Sequence, residues 1–282
     1  MNVQKLFNLE NDGKLNMEVN ENYLYIRGNL DFYKFDLNEM KIVQKNTVFN
    51  KNGKARGMKI FDNFIFLFDF LDLYILQKND LKILEVFHLG ENLSSDILGI
   101  LWFENPKIYV KIRNGYIYAV DIQTKNIEKT KVTGTSFWSD CVIGNNLYIG
   151  TTNGVLYEID KNNLQIKRNF PITKMNIYSI IHHENMLYTL TQDKKIIEIN
   201  ENFEIVRTVK MAVNNGMANI PGTYDGQHVI ADSWKIALWD IKSLQKRKIF
   251  DFPTGHYNSG VILTENRLFG HDSHDIYSSI IE

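Results

Sequence analysis

Asn146-Leu-Tyr-Ile-Gly-Thr-Thr-Asn-Gly-Val-Leu-Tyr-Glu-Ile-Asp160 decides how the whole chain is read. Asn146 follows a polar turn, and Leu147 to Thr151 is an apolar run too short for a helix. Asn153-Gly154 is a dipeptide that accepts positive φ and closes a hairpin. Val155 to Ile159 alternates apolar and polar residues, as a half-buried strand does, and Asp160 ends it. Working outward, Asp140 to Gly144 ends a preceding strand and Leu164 to Asn169 makes a fourth, so one unit holds four short strands.

The same phrase returns along the chain. It reads Asn22-Tyr-Leu-Tyr-Ile through Phe35-Asp36, Asn63-Phe-Ile-Phe-Leu through Leu76-Gln77, and Gln227-His-Val-Ile through Trp239-Asp240. Its openings fall near 22, 63, 105, 146, 185, 226 and 266, and its closing polar residues at 36, 77, 121, 160, 200 and 240. Two separate landmarks keep one period of about 41 residues. Four strands repeated at that period are the blades of a β-propeller, in which each blade buries its faces only against its neighbours. The expected fold is therefore all-β: one seven-bladed propeller domain over residues 1–282, with four-stranded antiparallel blades. The seventh unit runs out after its third strand, Ile276 to Ile281, whereas residues 2–9 form a spare strand before the first unit. Those residues are expected to supply the outer strand of the last blade and so close the ring.

Ile236-Ala-Leu-Trp239-Asp240 ends a third strand, and Gly255-His256 follows in the next loop. This pair resembles the Trp-Asp and Gly-His marks of WD40 repeats. The remaining units, which keep only the terminal Asp or Asn, resemble quinoprotein-like propellers too. The resemblance implies fold; function has to be argued from sites.

Composition narrows the function classes. Of 282 residues, 44% are hydrophobic and 23% charged, which suits a large soluble core. Lys and Arg number 32 against 33 Asp and Glu, so no basic surplus points to nucleic acid. No run reaches the 18 or so uninterrupted apolar residues of a membrane helix, and Met1-Asn2-Val3-Gln4-Lys5 lacks a signal-peptide core. The expected setting is a cytoplasmic monomer without nucleic-acid or membrane partners. The single cysteine, Cys141, lies in an apolar run and reads as a buried thiol.

Any site is expected on the rim formed by loops that join the outer strand of one blade to the inner strand of the next. Counting seven residues back from second-strand landmarks at 22, 63, 105, 145, 185, 226 and 266 gives Leu15, Arg56, Leu98, Trp138, Tyr178, Asn219 and Ser259; Tyr257 lies two residues before the last of these. Arg56, Trp138, Tyr178, Asn219 and Tyr257 are residue types that interfaces use as anchors. Aromatic residues there also serve to wedge blades together. The first expectation is accordingly a non-catalytic scaffold that presents this rim to a protein or peptide. A second is a hydrolase or cyclase type of enzyme acting on a small molecule, with Asp140 and His256 as acid and base near Asn219. A third is a bacterial immunity or regulatory protein that blocks one partner. No catalytic elbow, phosphate loop or Cys-x-x-Cys is present, so no catalytic, cofactor or metal residues are assigned and no cofactor is expected. His271-Asp272-Ser273-His274-Asp275 has ligand chemistry, but it falls where the other units place polar turn residues.

Overall fold

A computed structural model describes residues 3–9, 16–28, 30–47, 57–69, 72–89, 97–210, 219–224, 228–232, 236–240, 242–250, 262–264, 267–271 and 275–280. In chain order the strands are β1 (Gln4–Asn8), then β2 to β5 (Asn16–Asn20, Tyr23–Arg27, Asp31–Asp36, Lys41–Thr47) and β6 to β9 (Gly57–Phe61, Phe64–Phe68, Asp72–Gln77, Ile83–His88). β10 to β13 follow (Ile97–Glu104, Lys107–Ile112, Tyr116–Asp121, Ile127–Lys131), then β14 to β17 (Phe137–Ile143, Asn146–Thr151, Val155–Asp160, Ile166–Pro171). β18 to β21 are Ile177–His183, Met186–Thr191, Lys195–Ile199 and Ile205–Lys210, and β22 to β25 are Asn219–Tyr224, His228–Asp232, Ile236–Asp240 and Gln245–Phe250. β26 to β28 are Ile262–Leu263, Arg267–His271 and Asp275–Ile280.

These strands make seven four-stranded antiparallel sheets, the blade set of a seven-bladed propeller. Six sheets use four consecutive strands in order, and the seventh runs β1-β28-β27-β26. The N-terminal strand thus completes the last blade. It pairs antiparallel to β28 from Gln4 opposite Ser278 to Asn8 opposite Asp275, with a register irregularity between Lys5 and Phe7. The strands fall into two compact units, Met1–Ile112 with Thr254–Glu282, and Arg113–Pro253.

Within each unit the core lies in the seams between successive blades. In the first unit, Tyr25 and Phe32 of one blade pack with Met58, Ile60, Ile65, Leu67 and Leu76 of the next. In the second, Tyr148 and Leu156 meet Ile177, Ile180, Leu187 and Ile197. Second strands such as Phe64-Ile-Phe-Leu-Phe68 are nearly continuous apolar runs because both their faces are covered. Outer strands such as β17, Ile166-Lys-Arg-Asn-Phe-Pro171, are mostly exposed and carry the charges that keep a free sheet edge from pairing elsewhere.

The repeated closing residue has a specific job. The Asp36 carboxylate accepts from the backbone N–H of Asn38 (2.8 Å) and Glu39 (2.9 Å), and Asp121 does the same for Gln123 (2.9 Å) and Thr124 (2.8 Å). Asp160, Asn200 and Asp240 hold Asn162, Asn202 and Ser243 in the same way. Each such turn ends on a left-handed residue: Met40 (φ 54), Lys125 (φ 66), Leu164 (φ 58), Phe203 (φ 66) and Leu244 (φ 52). This corrects the expected start of the fourth strand. Leu164 belongs to the turn, and β17 begins at Ile166.

Two ionisable groups lie in the first seam. Arg27 is fully buried, and its Nη1 donates to the carbonyls of Gly57 (2.9 Å) and Phe68 (2.6 Å). Burial pulls its guanidinium down to about 9, against the opposing pull of Asp69. Glu18 accepts from the Ile60 N–H at 3.2 Å. Burial raises its carboxyl above the ordinary 4.5, outweighing the effects of Lys59 and that hydrogen bond. Between the unfolded and folded values the native state binds more protons, so this group's contribution to stability falls as pH rises above 4.5. Glu18→Gln keeps the acceptor and removes the buried charge. It is expected to raise the melting temperature at pH 7 and to lose that gain at a pH below 4.5, where both side chains are neutral. Melts of the two proteins across that range check the sign.

Candidate functional site

Three inner strands begin with the same defect. Pairing with the next strand passes from Ile97 to Gly99 in β10, from Phe137 to Ser139 in β14, and from Ile177 to Ser179 in β18. The skipped residues are Leu98, Trp138 and Tyr178, three of the positions found by counting back from the second strands. A bulge re-aims the extra residue and breaks the alternation at that point.

The causes are visible in the second unit. Phe137 and Ile177, just before the two extra residues, are fully buried anchors. Ser139 Oγ donates to the Ile177 carbonyl at 2.9 Å and ties β14 to β18. Opposite Ser139 stands Gly150, where a Cβ would come within 2.4 Å of Ser139 Oγ and 2.6 Å of Ile177. The seam has room only for small residues, so the ring of residue 138 stands clear of it. Trp138 is 49% exposed, and its ring meets that of Tyr178 edge-on, with centroids 6.3 Å apart and planes at 89°. Perpendicular aromatic contact suits the ring quadrupoles.

The loops beside this pair are fastened by main chain. Gly154 O accepts from Ile172 N (3.0 Å) and Thr173 N (3.3 Å), and Gly115 O accepts from Val132 N (2.9 Å) and Thr133 N (3.2 Å). Thr152 N donates to Ser136 O (3.0 Å), and Gln192 N to Asn176 O (2.8 Å). Thr151 Oγ1 donates to Asn153 Oδ1 (2.6 Å), a contact that Thr191 and Asp193 repeat in the next blade (2.5 Å). Met175, 46% exposed on the loop before Tyr178, joins the exposed apolar residues of this region. Counting from strand landmarks passes over Met175, because loop side chains follow no period.

No protein-family model and no curated protein matches the chain. Solved structures do. The β-propeller domain of Myceliophteria thermophila Cps50 (Swd1) aligns with TM-score 0.80 over 98% of this chain and 99% of its own, at 12% identity. A chain of a mitotic checkpoint complex aligns with TM-score 0.81 over 100% of this chain and 91% of its own, at 13% identity. The chain has the fold of a WD40-like β-propeller. A computationally designed protein, Ika8, also aligns, with TM-score 0.73 over 99% of this chain and all of its own at 11% identity. At such identities the likeness carries the fold and no activity.

The other sequence candidates take varied places on the propeller. Asp140 is half-buried on β14, opposite Ile149. Burial, reinforced by the Asp140 charge, pushes the Cys141 thiol up to about 11. Cys141 is therefore a protonated, poor nucleophile at neutral pH. Asn219 opens β22, but its side chain lies outside the described residues, as do Arg56, His256 and Tyr257 entirely. His271 is buried on β27, and Asp275 binds Lys5 (2.6 Å) and Asn8 (2.7 Å) of the closing strand. Asp272, Ser273 and His274 are outside the described residues. Among the described residues no group of three or more His, Cys, Asp or Glu could hold a metal ion, and no helix is long and apolar enough to cross a membrane.

Proposed function

We propose that this propeller is a non-catalytic scaffold that binds a protein or peptide through the rim carrying Trp138 and Tyr178. The observation that supports it most is Trp138 itself: a large rigid ring, half exposed, turned out of its ladder by a bulge and braced by Tyr178. Partly buried Trp and Tyr are the residues that dominate binding energy at interfaces. The anchored loops mean that little conformational freedom is lost on docking. The similar chain from a mitotic checkpoint complex belongs to a protein assembly, which agrees with this reading.

Trp138→Ala combined with Tyr178→Ala tests it. The variant is expected to melt close to the parent, since neither ring is buried in a core cluster. Proteins captured from the source cell by the parent are expected to be lost by the variant, with affinity reduced about 30-fold or more, the size of a hot-spot truncation. An unchanged set of captured proteins, on a variant that folds normally, refutes the rim assignment.

A further inference from the structure

The seventh blade differs from the other six in how its neighbours are connected. Elsewhere, paired strands follow one another in sequence, whereas Asn8 and Asp275, which meet across β1 and β28, are 267 positions apart. Closing so long a loop is the most entropically costly pairing in the chain. Until β1 arrives, β28 presents an open ladder and an empty place for apolar side chains. That place is specific. Leu9 is 1% exposed within a cluster with Met17, Leu24, Ile26, Phe35, Phe269 and Ile276. Phe7 stacks on Phe35 at 4.8 Å. Lys5 and Asn8 both reach Asp275, at 2.6 and 2.7 Å.

We propose that the β28 edge is an exchangeable strand socket that takes residues 3–9 of a second copy of this chain when copies fold together. Every contact named above is the same whether the strand comes from its own chain or from another. The two arrangements differ only in effective concentration. In its own chain β1 is tethered to β2 by the residues between Asn8 and Asn16. A tether this short gives an effective concentration in the mM range, so a finished monomer keeps its own strand. During folding the socket opens before the strand is delivered, and at high protein concentration a neighbour's strand competes for it.

The test uses the full chain with Gln4→Cys and Ser278→Cys, positions that face each other across the two strands, in a Cys141→Ser background. It is unfolded, refolded from dilute to concentrated solution, oxidised and run on a non-reducing gel. Dilute refolding is expected to give disulfide-closed monomer, and concentrated refolding a covalent dimer whose share rises with concentration. Excess synthetic peptide of residues 1–10, added during refolding, is expected to occupy the socket and suppress the dimer. The parent chain, followed by light scattering under the same conditions, reports the exchange without the cysteines. Monomer alone at every concentration, in both proteins, overturns the proposal. So does a dimer that the peptide leaves undiminished.

Discussion

Removing residues 1–9 is expected to abolish the cooperative fold or to lower its melting temperature by on the order of 15 °C or more. Loss of a terminal strand is ordinarily mild, because terminal segments carry few contacts. Here the segment fills a core. Leu9 is 1% exposed, and Leu6 and Phe7 pack against the cluster that holds Phe35 and Ile276. Truncating one buried Leu or Phe costs about 2–5 kcal/mol, while an entire domain is held by about 5–15 kcal/mol. Deletion removes these side chains together and exposes the ladder of β28 as well. Circular dichroism melts of the shortened and parent chains decide it, and superimposable curves would show that the closing strand is dispensable. Lys5→Ala serves as a contrast. Its pair with Asp275 is half exposed at the Lys5 end and is expected to contribute no more than about 1 kcal/mol. Apolar anchoring, and not the ion pair, is what the deletion should reveal.

Gly154→Ala is expected to destabilise by on the order of 3 kcal/mol or more, a backbone strain effect with an added clash. Gly154 has φ +78, and a Cβ there would lie 2.1 Å from the Thr173 carbonyl oxygen and 2.9 Å from that of Met175. Those are main-chain atoms of the loop clasped to Gly154 O, so they cannot move aside without breaking that clasp. Two other glycines separate the causes. Gly144 has φ +57 with open space around it, so Gly144→Ala should cost only the left-handed strain, about 1 kcal/mol. Gly134 has open space and no positive φ, so Gly134→Ala should be neutral or stabilising by about 0.5 kcal/mol. Denaturant melts that failed to rank the three in this order would mean that the loop does not rest on Gly154.

The blade count and the N-terminal closure are legible in the sequence because both follow from local chemistry repeated at one period. Among the described residues, the turn after the third strand is held by an Asp or Asn side chain in five blades, so Asp36, Asp121, Asp160, Asn200 and Asp240 recur and can be counted, with Gln77 at the same place in a sixth. The end of the turn is not legible, because Leu164, an apolar residue in the left-handed region, reads as the start of a strand. Counting also reaches Trp138 and Tyr178, since bulges occupy equivalent places in successive blades. The bulges themselves are not legible: they depend on Phe137, Ser139, Gly150 and Ile177 meeting across a seam. The burial of Arg27 is not legible for a related reason. A lone Arg ordinarily faces water, and the carbonyls of Gly57 and Phe68 that accept from it belong to another blade.

The clasp between Gly154 and the loop at Ile172 and Thr173 has an evolutionary consequence. It is made of carbonyl and amide groups that every amino acid except proline carries in full, so it fixes the loop's course without restricting which residues occupy the tip. Positions such as Met175 are left free to drift. A substitution there changes the exposed surface of the loop and leaves its main-chain course as it is.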